Sequence, residues 1–290
     1  MKKISAIYLT LLGATCMSFV GLLIRLIDNA DGFQILFYRS LGMSAIILLV
    51  ACLKRKSRPI LVLLSLDKND FLMGSFLCFA FLTYVFAMLN TSIASTLFLL
   101  SMSPIFAGLI SWLWIGEKPK NIVWVSMLIA LFGVLLMIGD GLNNNSKTFG
   151  NFLALSSAIF FALMLVQARK SKKTDVLGGT FLGAVFSFAL GIIITLILKN
   201  DLIISKYDIF LSIFMGLFTI GIGIALVTWA TPYLPAAEIS ILVLIESILG
   251  PIWVWIFLNE TISVFELIGG LTVLSAVILM IYVNQKISVL

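Results

Sequence analysis

Runs of about 20 apolar residues recur along this chain with almost no polar sequence between them, and no other feature narrows its possible folds so far. A helix rises about 1.5 Å per residue, so each run can cross the roughly 30 Å of hydrocarbon in a bilayer. Ten spans are predicted: 5–27, 33–53, 70–89, 92–115, 121–139, 150–168, 176–198, 208–230, 234–258 and 263–283. Barrel strands would be about ten residues long and would alternate apolar with polar. These runs are twice that length and apolar all round, so the fold class is an all-α integral membrane protein. Composition agrees: 61% of the 290 residues are hydrophobic and 11% charged, against about half and a quarter in a soluble domain.

The opening Met1-Lys2-Lys3 followed by an apolar run resembles a signal peptide. No small-x-small cleavage site follows and the run continues to Arg25, so it is read as the first span. Cys16, Cys52 and Cys78 fall inside spans at unrelated spacings, which suggests neither a disulfide framework nor a zinc site. The chain has no histidine. That argues against Ser-His and Cys-His dyads and against histidine-held metals or haem. No Gly-rich phosphate loop ending in Lys-Ser/Thr is present either. No metal and no cofactor is expected, and an enzyme is the weaker reading.

With ten spans and the amino terminus inside, one side holds 14 of the 19 basic residues: Lys2, Lys3, Lys54, Arg55, Lys56, Arg58, Lys68, Lys118, Lys120, Arg169, Lys170, Lys172, Lys173 and Lys286. The other side holds Lys147, Lys199 and Lys206, while Arg25 and Arg39 lie inside spans. The positive-inside rule therefore places both termini in the cytoplasm. Because the bases are dispersed over loop ends, lipid headgroups account for the net charge of +6 and no nucleic-acid partner is implied.

Sliding the second half over the first by about 143 residues brings Glu117 of "WLWIGEKP" onto Glu260 of "WIFLNETI", and Arg25 within one position of Arg169. "SMLIALFGVLLMI" (126–138) then overlies "GGLTVLSAVILMI" (269–281). Each half holds five spans, and five is odd, so the second repeat must enter the membrane with inverted topology. The expected units are 1–141 and 148–286. Inverted repeats are a secondary-transporter architecture, with the substrate site near the midplane between them.

Three stretches carry a family resemblance: "SPIFAGLISWLWIGE" (103–117), "GNFLALSSAIFFALMLVQARK" (150–170) and "PAAEISILVLIESILGPIWVWIFLNE" (235–260). In them the chain resembles the EamA-type branch of the drug/metabolite transporter superfamily over nearly its whole length. The resemblance implies ten helices in two five-helix repeats and a carrier of amino acids or related small metabolites. In that family the ninth span often reads Glu-Pro. Here Ser247 follows Glu246 and Pro251 comes four residues later, so any helix break is expected about one turn further on.

Glu246 lies about twelve residues into its span, near the bilayer centre. A carboxylate there is costly unless protonated, paired or facing water, and such residues are functional candidates by default. On a helix it shares a face with Val243, Gly250 and Trp253, which suits a substrate ammonium group or a coupling proton. A protonated Glu bonded to a neighbouring helix is the structural alternative. Arg39, about six residues into the second span, could snorkel, pair with Glu246 or hold a substrate carboxylate. Arg25, near a span end, is expected to snorkel, and Glu117 and Glu260 to fix loop corners. Tyr38, Tyr84, Gln167, Trp229 and Trp253 are further pocket candidates, although Tyr and Trp also collect at membrane interfaces. Pro104, Gly250 and Pro251 mark helix breaks or close packing.

The expected protein is an inner (plasma) membrane carrier of a small molecule, embedded in lipid, with self-pairing into a homodimer left open. The alternatives are a carrier for a nucleoside-like or cationic metabolite, a passive pore, and a structural or receptor-like membrane protein without flux.

Overall fold

The computed structural model describes residues 3–56, 59–91, 93–138, 148–198, 202–258 and 264–287, and among them every regular element is a helix. Lys2, Arg58, Lys147, Lys199 and Glu260, which entered the charge and repeat readings, lie outside the described residues. In chain order the first half comprises α1 (Lys3–Met17), α2 (Val20–Arg25), α3 (Gly32–Arg55), α4 (Pro59–Leu64), α5 (Lys68–Asn90), α6 (Ile93–Leu100), α7 (Ser103–Ile115) and α8 (Asn121–Ile138). The second comprises α9 (Thr148–Lys170), α10 (Leu177–Ile197), α11 (Lys206–Phe214), a π segment (Met215–Ile222), α12 (Gly223–Ala230), α13 (Ala236–Val243), α14 (Ile245–Leu258) and α15 (Val264–Ile287).

Among the described residues, eight helical segments are long and apolar enough to cross a membrane; α8 and α15 supply two shorter apolar stretches, Asn121–Leu136 and Leu267–Tyr282. Side chains such as Leu128 and Phe132 on α8 and Phe210 on α11 face outward. Lipid tails make that exposure cost-free, whereas water would penalise it. Polar caps start the helices where the chain leaves the apolar zone. Asp31 accepts from the Phe33 and Gln34 amides while Gln34 reaches back to Asp31, and Asp67 and Asp70 repeat the reciprocal pattern on α5.

Under the 143-residue register α1–α2 corresponds to α9, α3 to α10, α5 to α11–π–α12, α6–α7 to α13–α14, and α8 to α15. The packing follows the same exchange. α5 lies on α9 as α1 lies on α12, and α5 lies on α10 as α3 lies on the π segment. α3 with α10 and α8 with α15 each pair with their own counterpart, and the α6–α7 span meets the α13–α14 span through α7 and α13. Association in lipid relies on close approach rather than apolar burial. At the α3–π crossing a Cβ on Gly216 would collide with the Arg39 carbonyl, so only glycine lets the two backbones meet there.

The halves are also tied at one end by ion pairs: Lys3–Glu238 at 3.5 Å, Lys54–Asp175 at 3.1 Å, Arg169–Glu117 at 3.1 Å, and Lys173 to Asp67 at 2.8 Å and Asp70 at 2.5 Å. Each joins a first-half residue to a second-half one. Glu117 thus fixes a loop corner, as expected, and Arg25 is exposed at the end of α2. Burial pushes the Asp67 carboxyl up, but the hydrogen bonds from Lys173 and within the Asp67–Asp70 cap outweigh it and hold the group below the ordinary carboxylate range. Burial likewise pushes the Lys173 ammonium down, and its two carboxylate partners more than reverse that. At the opposite end the ties are hydrogen bonds. Asp208 accepts from the Asp28 and Asn29 amides at 3.3 Å, and the Thr91 hydroxyl donates to Asn151 at 2.8 Å.

Candidate functional site

Two interrupted helices meet at the middle of the bundle. In the first half α6 ends at Leu100 and α7 begins at Ser103. Pro104 has no N–H, so the Leu100 carbonyl loses its α-helical donor, and the turn closes through short-range bonds such as Met102 N–H to Leu99 O at 3.2 Å. In the second half α13 ends at Val243 and α14 begins at Ile245. Here the Ser247 N–H passes over Val243 O and donates to Leu244 O at 3.0 Å.

Ser247 and Pro104 are 143 residues apart, as are Val243 and Leu100. Both halves therefore release the equivalent carbonyl. The expectation of a break displaced toward Pro251 is corrected: the interruption precedes Glu246, and α14 runs helically through position 251. The Pro251 side chain lies outside the described residues. The two interrupted helices touch through Ser103 Oγ and Ser240 Oγ, 2.8 Å apart.

Around this contact is a cavity with about 650 Å³ of empty space counted to its open mouth. Met17 and Val20 line it from the α1–α2 interruption, and Phe81 and Tyr84 from α5. Leu100, Ser101 and Ser103 face it from the first break, Ser157 and Phe161 from α9, and Leu244, Glu246 and Ser247 from the second. Its residues on α1, α5 and α7 lie 10 or more positions from the ion-paired ends Lys3, Asp70 and Glu117, or roughly 15 Å of helix. The cavity thus sits away from the clamped end.

Glu246 is the eleventh residue of the apolar span Ala236–Phe257, so it stands at mid-depth, and it is 7% exposed. Its place in the first turn of α14 lets the positive end of that half-helix offset part of the cost of a carboxylate there. Gly250, one turn on, leaves open space: a Cβ there would meet only Ser18 O at 3.8 Å and Leu97 at 4.0 Å. Trp253 lies further along, its indole N–H donating to Ser18 Oγ at 2.7 Å and its ring stacked on Phe19 at 4.3 Å. It anchors α14 to the α1–α2 interruption.

Arg39 is fully buried, so it does not snorkel. Nε, Nη1 and Nη2 all lack a hydrogen-bond partner, and guanidinium cannot shed its charge. Each orphaned donor costs on the order of 1–3 kcal/mol. The Phe81 ring face, 4.9 Å from the guanidinium carbon, returns about 2 kcal/mol. No Arg39–Glu246 ion pair forms among the described residues. Tyr84 is the group within electrostatic reach of both, and its hydroxyl is buried without a partner.

The other candidates are elsewhere. Tyr38 donates to Leu202 O at 2.7 Å, near one end of the bundle. Gln167 donates to Asn69 at 3.1 Å at the other. Trp229 receives the Lys54 ammonium over its ring at 4.7 Å. Phe81, Ser101 and Ser157 line the cavity without having been singled out from the sequence. Phe81 is one of 23 phenylalanines, and nothing local distinguishes it. Its tie to Arg39 is made between helices.

The chain as a whole matches known proteins. The family described as the EamA-like transporter family matches residues 4–139 and again residues 148–282. The chain belongs to the EamA-like transporter family. An uncharacterized transporter of Archaeoglobus fulgidus is 25% identical over 270 residues, covering 92% of this chain and 93% of that protein. The uncharacterized transporter YwfM of Bacillus subtilis is 25% identical over 199 residues, 66% of this chain and 67% of its own. One solved crystal structure superposes with a TM-score of 0.78 at 16% identity, covering 97% of this chain and 99% of the other, which establishes the likeness of fold alone. The EamA chain is thus a multi-pass membrane transporter.

Proposed function

We propose that the protein is a secondary carrier of small metabolites, with amino acids and related amine-containing solutes the best-fitting cargo, working by alternating access around the central cavity. One observation carries this reading: Glu246 lines a cavity at mid-depth between two equivalent helix breaks, one from each half. Discontinuous helices with released backbone groups are how transporters build midplane sites. The carboxylate supplies a counter-charge for an ammonium group or a place for a coupling proton. The halves 1–141 and 148–286 are inverted repeats in a ten-span bundle, a reading supported by the packing exchange under the 143-residue register. Their rocking would release the ion-paired end as the opposite end closes. Both termini lie in the cytoplasm of an inner membrane, on the side of the basic loops.

The test is uptake of a labelled panel of amino acids and amines into proteoliposomes, with and without an imposed proton gradient. Saturable flux of at least one compound is expected. A folded protein that moves none of them would exclude this cargo class.

A further inference from the structure

We propose that Arg39 and the Tyr84 hydroxyl form a carboxylate subsite, which with Glu246 makes the cavity selective for zwitterions over bare amines. The inference rests on the carrier reading above and goes on to say what the cargo carries besides its amine. The guanidinium is fully buried, with all three nitrogens unpartnered. Its planar donor fork matches a carboxylate in shape as well as charge. Phe81 belongs to both environments, stacked against Arg39 at 4.9 Å and lining the cavity. Rotation of that ring would open the guanidinium to a solute.

Tyr84, one turn along α5, lines the cavity with a hydroxyl that is buried and has no hydrogen-bond partner. It lies within electrostatic reach of both Arg39 and Glu246. The amino terminus of α7 also begins at the cavity, at Ser103, and no side chain caps it. The positive end of that half-helix adds to the positive side of the pocket. The cavity therefore has one negative pole, at Glu246, and one positive pole, where Tyr84 and the start of α7 line it and the Arg39 guanidinium lies against the Phe81 ring. A solute with only an amine would leave the positive pole unanswered. An amino acid answers both.

The experiment measures ligand-induced thermal stabilisation and proteoliposome competition for the purified full chain, using the proteinogenic L-amino acids beside their decarboxylated amines. Wild type should prefer the best amino acid to its amine by at least about tenfold, as expected of a site built to hydrogen-bond a group the analogue lacks. Arg39→Gln should abolish that preference while leaving amine affinity within about twofold, and Arg39→Lys should restore part of it. Tyr84→Phe, which keeps the ring and hence the packing, should weaken the amino acid several-fold and the amine not at all. Equal losses for both probes in Tyr84→Phe, or an unchanged preference in Arg39→Gln, would overturn the subsite. Amine binding by wild type without any preference would also overturn it while leaving the carrier reading intact. Binding of neither probe class by folded wild type would remove both.

Discussion

The two interrupted helices are equivalent by register yet reach the same geometry by different chemistry. In α6–α7 a proline stands at the break and denies the Leu100 carbonyl its donor. In α13–α14 the same position is Ser247, whose N–H is present and is drawn to Leu244 instead. The comparison teaches that proline is not necessary for the interruption, and α14 running helically through position 251 shows that it is not sufficient either. What the two share is the environment, a cavity on one side and the Ser103–Ser240 contact between them. They differ most at the residue that follows the break. Ser103 and Glu246 occupy matching positions 143 residues apart, so an architecture doubled in backbone carries a carboxylate at the break in one half alone.

That asymmetry should give the largest effect. Glu246→Gln is expected to lower transport at least tenfold while leaving the melting temperature within a few degrees, and Ser103→Ala to lower it by no more than about threefold. Paired flux and thermal-melt measurements check both. Comparable losses from the two substitutions would mean that the cavity, and not the carboxylate, matters.

The backbone side of the comparison is tested by exchanging its residues. A proline in an ordinary helix interior costs about 3 kcal/mol, but Ser247→Pro should cost less than about 1 kcal/mol, because only the bond to Leu244 is lost. Pro104→Ala should be similarly mild, since packing keeps the break in place. A drop of several kcal/mol for Ser247→Pro in denaturant titration would show that α13–α14 is interrupted by a different route. Ser240→Ala, which removes one partner of the contact between the breaks, should cost about 1 kcal/mol or less.

The smallest effect is expected at the clamped end, where the groups are partly solvated. Folding lowers the Asp67 carboxyl and raises the Lys173 ammonium. Stability from Asp67 is therefore present above the ordinary carboxylate range and is lost as pH falls through it and below. Stability from Lys173 is present below the ordinary lysine range and is lost as pH rises above it. Lys173→Met should flatten the melting temperature at both flanks by a few degrees and leave its value near neutrality little changed. An unaltered pH profile would mean that the ion pairs at this end contribute nothing measurable.

Much of this was legible in the residues. The apolar runs dictated helices because a backbone in lipid must satisfy its own hydrogen bonds. The 143-residue register, read from Glu117 and Glu260 and from matching small residues, supplied the correspondence of helices under which the packing is compared. Glu246 stood out because a lone carboxylate among apolar neighbours is costly anywhere in a membrane. Arg39 stood out for the same reason, but not its environment: the Phe81 face beneath it and the Tyr84 hydroxyl within electrostatic reach of it and of Glu246 come from a different helix. Tyr38, Gln167 and Trp229 looked equally suited to a pocket, and each is instead engaged elsewhere.

Sequence alone determined that this chain is a bundle of membrane helices built twice over, with one acidic and one basic residue deep in its spans. Those properties are local sums of hydropathy and charge along the chain. Where α13–α14 breaks, which aromatic ring meets the buried guanidinium, and which end of the bundle is ion-paired were decided only in the tertiary structure. Each depends on groups far apart in the sequence meeting at a few ångströms, and a hydrogen bond or a close backbone approach is settled by such distances.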